Sequence, residues 1–204
     1  MKRFLRLLVG VLLSSFSITM VIHAGLGVFP ITSANLAISN WLGVSMGVAG
    51  TLVELVIMLL AYKMGEGLTL TGIINATVGS LLIDVWSLIL PKHPLMILGI
   101  LLLPIAWYLS SGAELGDTNQ NLLQTGILKR TNRSMGQVRM FQEVLFVVIG
   151  LLGAREYVTP LTIILSLGFG YIMQFEYKLL KFDVTKLEHS FLIKGKQVAK
   201  EEIV

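Results

Sequence analysis

The chain carries one short element twice. Ser45-Met46-Gly47 is followed by Glu54, and Ser134-Met135-Gly136 by Glu143, 89 residues further on. At that same offset, without a gap, Gly10 falls on Gly99, Ala24 on Ala113, Leu26-Gly27 on Leu115-Gly116 and Gly79 on Gly168. Identity between the halves is low, and apolar chains match by chance, so the glycines and polar positions carry the match. A chain with such an internal repeat folds as related units. In a membrane chain, two related halves point to a transporter architecture.

The repeated unit is apolar. Hydrophobic residues make up 54% of the 204 residues and charged residues 14%, against about a quarter charged in soluble domains. The charges lie between long apolar runs and in the C-terminal tail. The net charge of +4 therefore reads as membrane orientation and excludes a nucleic-acid partner. Cysteine is absent, which removes disulfides, thiolate metal sites and a thiol nucleophile. The three histidines share no ligand spacing. No nucleophile elbow, phosphate loop or nucleotide fingerprint is present, so neither enzyme activity, a cofactor nor a metal is expected.

Six apolar runs read as spans, at about Leu5–His23, Gly47–Tyr62, Leu70–Leu90, Leu95–Ser111, Val138–Leu152 and Thr159–Tyr177. A span takes about 20 residues, and its backbone polar groups must pair within the segment, so these are helices. The first run follows Met1-Lys2-Arg3 but aligns with the mid-chain run Leu95–Ser111, so it reads as a retained helix and not a signal peptide. Lysine and arginine divide 14 to 2 between the two sides, with only Lys92 and Arg155 on the sparse one. Both termini are then cytoplasmic. Three spans per repeat is an odd number, so the two repeats point opposite ways through the bilayer. The expected fold is all-α: a polytopic membrane helix bundle of six transmembrane helices in two inverted three-helix repeats. Residues 1–178 form one membrane domain, with repeats at about 5–90 and 94–178, and residues 179–204 form a cytoplasmic tail, read either as a short strand pair or loose helix against the anionic leaflet or as a solvated tail.

Between the first two spans of each repeat lies a short segment, Gly25 to Met46 and Glu114 to Met135. Gly25 and Gly27 permit a turn, and Pro30 suits the first turn of a helix. The second segment is richer in amides, with Asn119, Gln120, Asn121 and Gln124. Such a face must meet water or protein, since lipid would penalise it. Two placements are open for each short helix: interfacial, or re-entrant with an end near the midplane. Ser45-Gly47 and Ser134-Gly136 read as caps and close-approach points at the starts of the next helices.

Ionisable residues within spans are functional candidates by default. Glu54 and Glu143 lie about two turns into the second and fifth spans. Glu143 has Arg139 one turn before it and can form an intrahelical ion pair. Glu54 has no basic residue one turn away, and is the stronger candidate for carrying a proton. Asn75 can hydrogen-bond across helices. Asp84, near the outer end of the third span, is either an interface charge or part of the pathway.

These residues resemble those of the YczE/YyaS/YitT-type bacterial integral membrane proteins. Ala24-Gly25-Leu26-Gly27-Val28-Phe29-Pro30 stands where that family has an Ala-Gly-Leu-Gly-x-x-Pro turn. Ser45-Met46-Gly47 fits its Ser-x-Gly element, and Asn75 and Asp84 fit its third-helix Asn and Asp. In the second half, Ser134, Gly136, Val138, Arg139 and Glu143 match, while Asp117-Thr118-Asn119 replaces a Gly-Pro-x-Asp-like stretch. The likeness covers about residues 3 to 178. It implies a location and a fold, and for some members a link to secondary-metabolite production.

The functional expectation is a small secondary transporter or exporter in the cytoplasmic membrane, proton-coupled and acting as a homodimer. Its partners are the lipid bilayer and an unidentified small-molecule substrate. The alternative is a non-transporting accessory or regulatory membrane protein.

Overall fold

The computed structural model describes residues 1–168 and 191–193. Helix α1 (Lys2–Ala24) ends at Gly25, which is left-handed with φ 67° and returns its amide to Ile22 O. Gly27, at φ 127°, completes the turn, and Pro30 opens α2 (Pro30–Leu42), where its missing N–H costs nothing. Ser45 caps α3 (Met46–Lys63) by accepting from Val48 N. Thr69 caps α4 (Leu70–Ile74), which continues through a π-helical turn (Asn75–Gly79) into α5 (Ser80–Ile89).

A 3₁₀ turn (Pro94–Leu98) leads into α6 (Gly99–Ser111). Thr118 caps α7 (Asn119–Leu128). Ser134 and Gln137 form a reciprocal capping box at the start of α8 (Met135–Gly153). Residues 160–168 are helical as well. Beside the helices, the described residues hold a short antiparallel pair, β1 (Leu68–Thr69) with β2 (Phe191–Ile193).

Among the described residues, four helices are long and apolar enough to cross a membrane: Lys2–Ala24, Met46–Lys63, Leu70–Ile89 and Met135–Gly153. The expected fourth span, Leu95–Ser111, is a 13-residue helix behind the 3₁₀ turn. The expected sixth, Thr159–Tyr177, is helical at 160–168, and its remainder lies outside the described residues. So does the tail from Lys178, apart from β2.

The polarity is arranged as lipid would require. Leu52, Val56, Leu59 and Leu60 of α3 and Phe141, Val144, Leu145 and Val148 of α8 are exposed. Ser14, Ser15, Ser17, Thr32, Asn35, Asn119, Gln124, Arg139 and Glu143 are buried. Exposed apolar faces of this extent mark a membrane or protein interaction surface, and with the long apolar helices they are compatible with a membrane protein. Several buried hydroxyls are satisfied within their own helix: Ser15 donates to Val11 O at 3.0 Å and Thr19 to Ser15 O at 2.9 Å.

Three contacts organise the bundle. First, α1 packs antiparallel against α6 through small residues. A side chain at Gly10 would meet Ala106 O at 2.9 Å, and Ser110 as well. One at Gly99 would meet Ser17 O, and Val21 at 3.0 Å. Second, α2 lies along the C-terminal half of α8 and runs the same way: Ser33 Oγ reaches Phe146 O at 3.3 Å, and Asn40 Nδ2 reaches Gly153 O at 2.8 Å. Third, α7 lies along the C-terminal half of α3, again in the same direction. Asn119 Nδ2 donates to Glu54 at 3.0 Å, and Arg130 Nη1 to Met64 O at 2.7 Å. The four helices α2, α3, α7 and α8 share a core of Ala34, Val53, Ile57, Ala61, Leu122, Leu123 and Phe146.

Candidate functional site

Between these helices lies a cavity of about 110 Å³, room for several waters or a small solute. Ser14, Ser15 and Ile18 of α1 form one wall, and Asn75 and Ser80 of the π turn and its sequel another. Ile31, Thr32 and Asn35 of α2 and Thr118, Gln120 and Asn121 of α7 bring the N-terminal turns of both short helices to it. Glu54 and Arg139 are its charged lining. A π turn widens a helix locally and recurs at functional sites. Here it sets Asn75 toward the cavity and gives the Ser80 hydroxyl an acceptor in Asn75 O at 3.3 Å.

Glu54 is half-buried and held by amides from the other half of the chain. Gln120 Nε2 donates to Oε1 and Asn119 Nδ2 to Oε2, each at 3.0 Å. The same Asn119 nitrogen donates to Gly72 O at 3.0 Å, tying α3, α4 and α7 at one point. This is where the amide-rich face of α7 goes: Gln124 Nε2 likewise donates to Gln142 Oε1 at 2.9 Å.

Glu143 has a different setting. Arg139 Nε sits 2.6 Å from its Oε1, with the two side chains 8% and 2% exposed. Arg139 is thus a buried residue of the polar core, in the intrahelical pair that its spacing from Glu143 suggested. Its charge also acts on Glu54 and on Asp117. The Asp117 carboxylate accepts from Thr118 N at 2.7 Å and Asn121 Nδ2 at 2.8 Å, so it occupies the N-terminus of α7.

Asp84 lies away from the cavity lining. It accepts from Ser45 Oγ at 2.5 Å and Gly47 N at 2.8 Å, fastening α5 to the N-terminus of α3. Gly47 is required there, because a Cβ would stand 2.6 Å from Ser80 O. Ser134 and Gly136 open α8. Gly25, Gly27 and Pro30 shape the turn that aims α2. The structure therefore brings Glu54, Arg139 and Asn75 to one cavity, sets Glu143 behind Arg139, and gives Asp84 an anchoring contact.

Sequence reasoning left Asn35, Asp117, Asn119 and Gln120 out of the site. The density of amides between Asn119 and Gln124 was the available signal for two of them. Among the described residues, no group of three or more His, Cys, Asp or Glu side chains could hold a metal ion.

No curated protein and no solved structure matches the chain. Over residues 1–95, which run from α1 through α5, it is similar to a family of unknown function, DUF6198.

Proposed function

We propose that the protein is a small secondary transporter of the cytoplasmic membrane, built from two inverted three-helix repeats and driven by protons carried on Glu54. The observation that carries this reading is a cavity with charged and amide groups in its lining, formed between helices of both halves and met by the N-terminal turns of both short helices. Broken or short helices meeting at a midplane site are the recurring device of inverted-repeat transporters.

Reciprocal packing supports the inversion. Gly10 and Gly99 are equivalent positions, and so are Ser17 and Ala106, and Val21 and Ser110. Gly10 meets Ala106 and Ser110, and Gly99 meets Ser17 and Val21. Exchanging the halves reproduces each contact. A two-fold that relates antiparallel helices runs perpendicular to them, hence in the membrane plane. The pairing of α2 with α8 and of α7 with α3 follows the same exchange. It favours re-entrant short helices over interfacial ones, since α7 begins level with Glu54, midway along α3. Kinship with the YczE/YyaS/YitT-type proteins belongs to the same proposal and rests on Ala24–Pro30, Ser45, Gly47, Asn75 and Asp84.

The test is flux in liposomes holding the purified protein, under an imposed proton gradient, across a broad panel of small solutes. Proton-driven flux that disappears in Glu54→Gln is expected. No flux for any solute, together with normal function of Glu54→Gln in cells, would sink the transporter reading in favour of an accessory protein.

A further inference from the structure

Beside Arg139, four polar side chains of the cavity wall turn a donor toward the protein. Asn75 gives its Nδ2 to Thr71 O at 3.0 Å, and Gln120 gives its Nε2 to Glu54 at 3.0 Å. The Ser14 hydroxyl donates to Val11 O at 3.0 Å and that of Ser80 to Asn75 O at 3.3 Å. Every one of these partners is a carbonyl or carboxylate oxygen. The amides are thereby fixed with nitrogen toward the protein, and their own oxygens remain as acceptors. Asn35, 8% exposed, adds a buried Oδ1 with no hydrogen-bond partner. A buried acceptor left unmatched is costly, and a donor arriving with a ligand removes that cost.

The charges agree with the hydrogen bonds. Among the described residues, three carboxylates, Glu54, Asp117 and Glu143, share this core with one guanidinium, Arg139. Arg139 is in contact with Glu143. Glu54 is held by neutral amides, and no cation touches it among the described residues. A carboxylate in a membrane interior takes a positive partner or a proton. The N-terminal turns of α2 and α7 would favour an anion, but Asp117 already fills that role for α7. Pro30 removes one amide from the first turn of α2.

We infer that the cavity binds a small organic ammonium ion, with its charged head between Glu54 and Asn35 and its alkyl part against Ile18, Ile31 and Ile83. An ammonium group offers three donors and no acceptor, the complement of Glu54 and of these acceptor oxygens. A cavity of about 110 Å³ admits a molecule of only a few heavy atoms. The inference names the substrate class of the transporter proposed above and rests on that reading.

The full-length protein in detergent is titrated separately with ethylammonium, propionate and potassium chlorides or salts, and tryptophan fluorescence is followed, because Trp107 lines the cavity. Ethylammonium is expected to give a saturable change and propionate none. Glu54→Gln is expected to weaken ethylammonium by about tenfold or more, as loss of a charged hydrogen-bond partner does. Asn35→Leu also weakens it, whereas Asn35→Asp, which keeps an acceptor, binds. Saturation by propionate or potassium with no response to ethylammonium overturns the inference. So does an ethylammonium response that Glu54→Gln leaves unchanged while the variant elutes as a folded species. The same preparation in liposomes separates the two claims. Ethylammonium binding without flux defeats the transport reading and keeps the site. Flux of another solute without ammonium binding does the reverse.

Discussion

Glu54 and Glu143 hold equivalent places in the two halves and have unlike partners. Glu143 sits against Arg139, with both side chains nearly inaccessible. Removing one member of a buried pair leaves an uncompensated charge, at a cost of about 3–5 kcal/mol. Arg139→Gln should therefore lower the melting temperature in detergent sharply, and the double variant with Glu143→Gln should recover much of the loss. Equal losses in the single and double variants would contradict the pairing. Glu54→Gln should leave the melting temperature near that of the parent, because amide contacts to Asn119 and Gln120 survive in altered form, yet abolish proton-driven flux. The Arg139–Glu143 contact was legible in the sequence because four-residue spacing places two side chains on one helix face. The partners of Glu54 were not. They lie 65 and 66 residues away, and no local rule joins an amide on one helix to a carboxylate on another. Asp117 was not assigned to the site for a related reason: its equivalent in the first half is Val28, so the repeat gave it no weight.

At the scale of elements, the glycines separate into two kinds. Gly25 stands in open space, and only its φ of 67° asks for glycine. Gly99 is pressed between Ser17 O, Met20 and Val21. Gly25→Ala should thus cost about 1 kcal/mol, the left-handed penalty, while Gly99→Leu forces α1 from α6 and costs at least about 1–3 kcal/mol as overpacking. Thermal denaturation of the two variants checks the order, and a larger loss in Gly25→Ala would refute the account of the α1–α6 contact. Helix starts were legible from Ser45, Ser134 and Pro30, since caps are local chemistry. The placement of α2 and α7 was not, because periodicity reveals a polar face without revealing what covers it. The run Leu95–Ser111 reads as a single helix by hydropathy, but its first residues wind as a 3₁₀ turn behind Pro94. That turn rises about 2 Å per residue and α6 about 1.5 Å, so together they reach about 30 Å, the thickness of a hydrocarbon core.

For the whole molecule, the inverted arrangement proposed above has two supports, both resting on the internal repeat. Three spans per repeat, as the sequence suggests, would invert the second copy by counting. The exchange of Gly10 and Gly99 contacts relates the halves by a two-fold across antiparallel helices. On this account α2 and α7 enter from opposite faces and converge on the cavity, each lying along a span of the other half. The direct test uses the absence of cysteine in the parent chain. Single cysteines are introduced as Leu42→Cys, at the end of α2, and Thr131→Cys, just beyond α7, and are exposed to a membrane-impermeant maleimide before and after permeabilisation. The account predicts that Leu42→Cys reacts on intact cells and that Thr131→Cys reacts only once the membrane is opened. Reaction of both from the same side would contradict it.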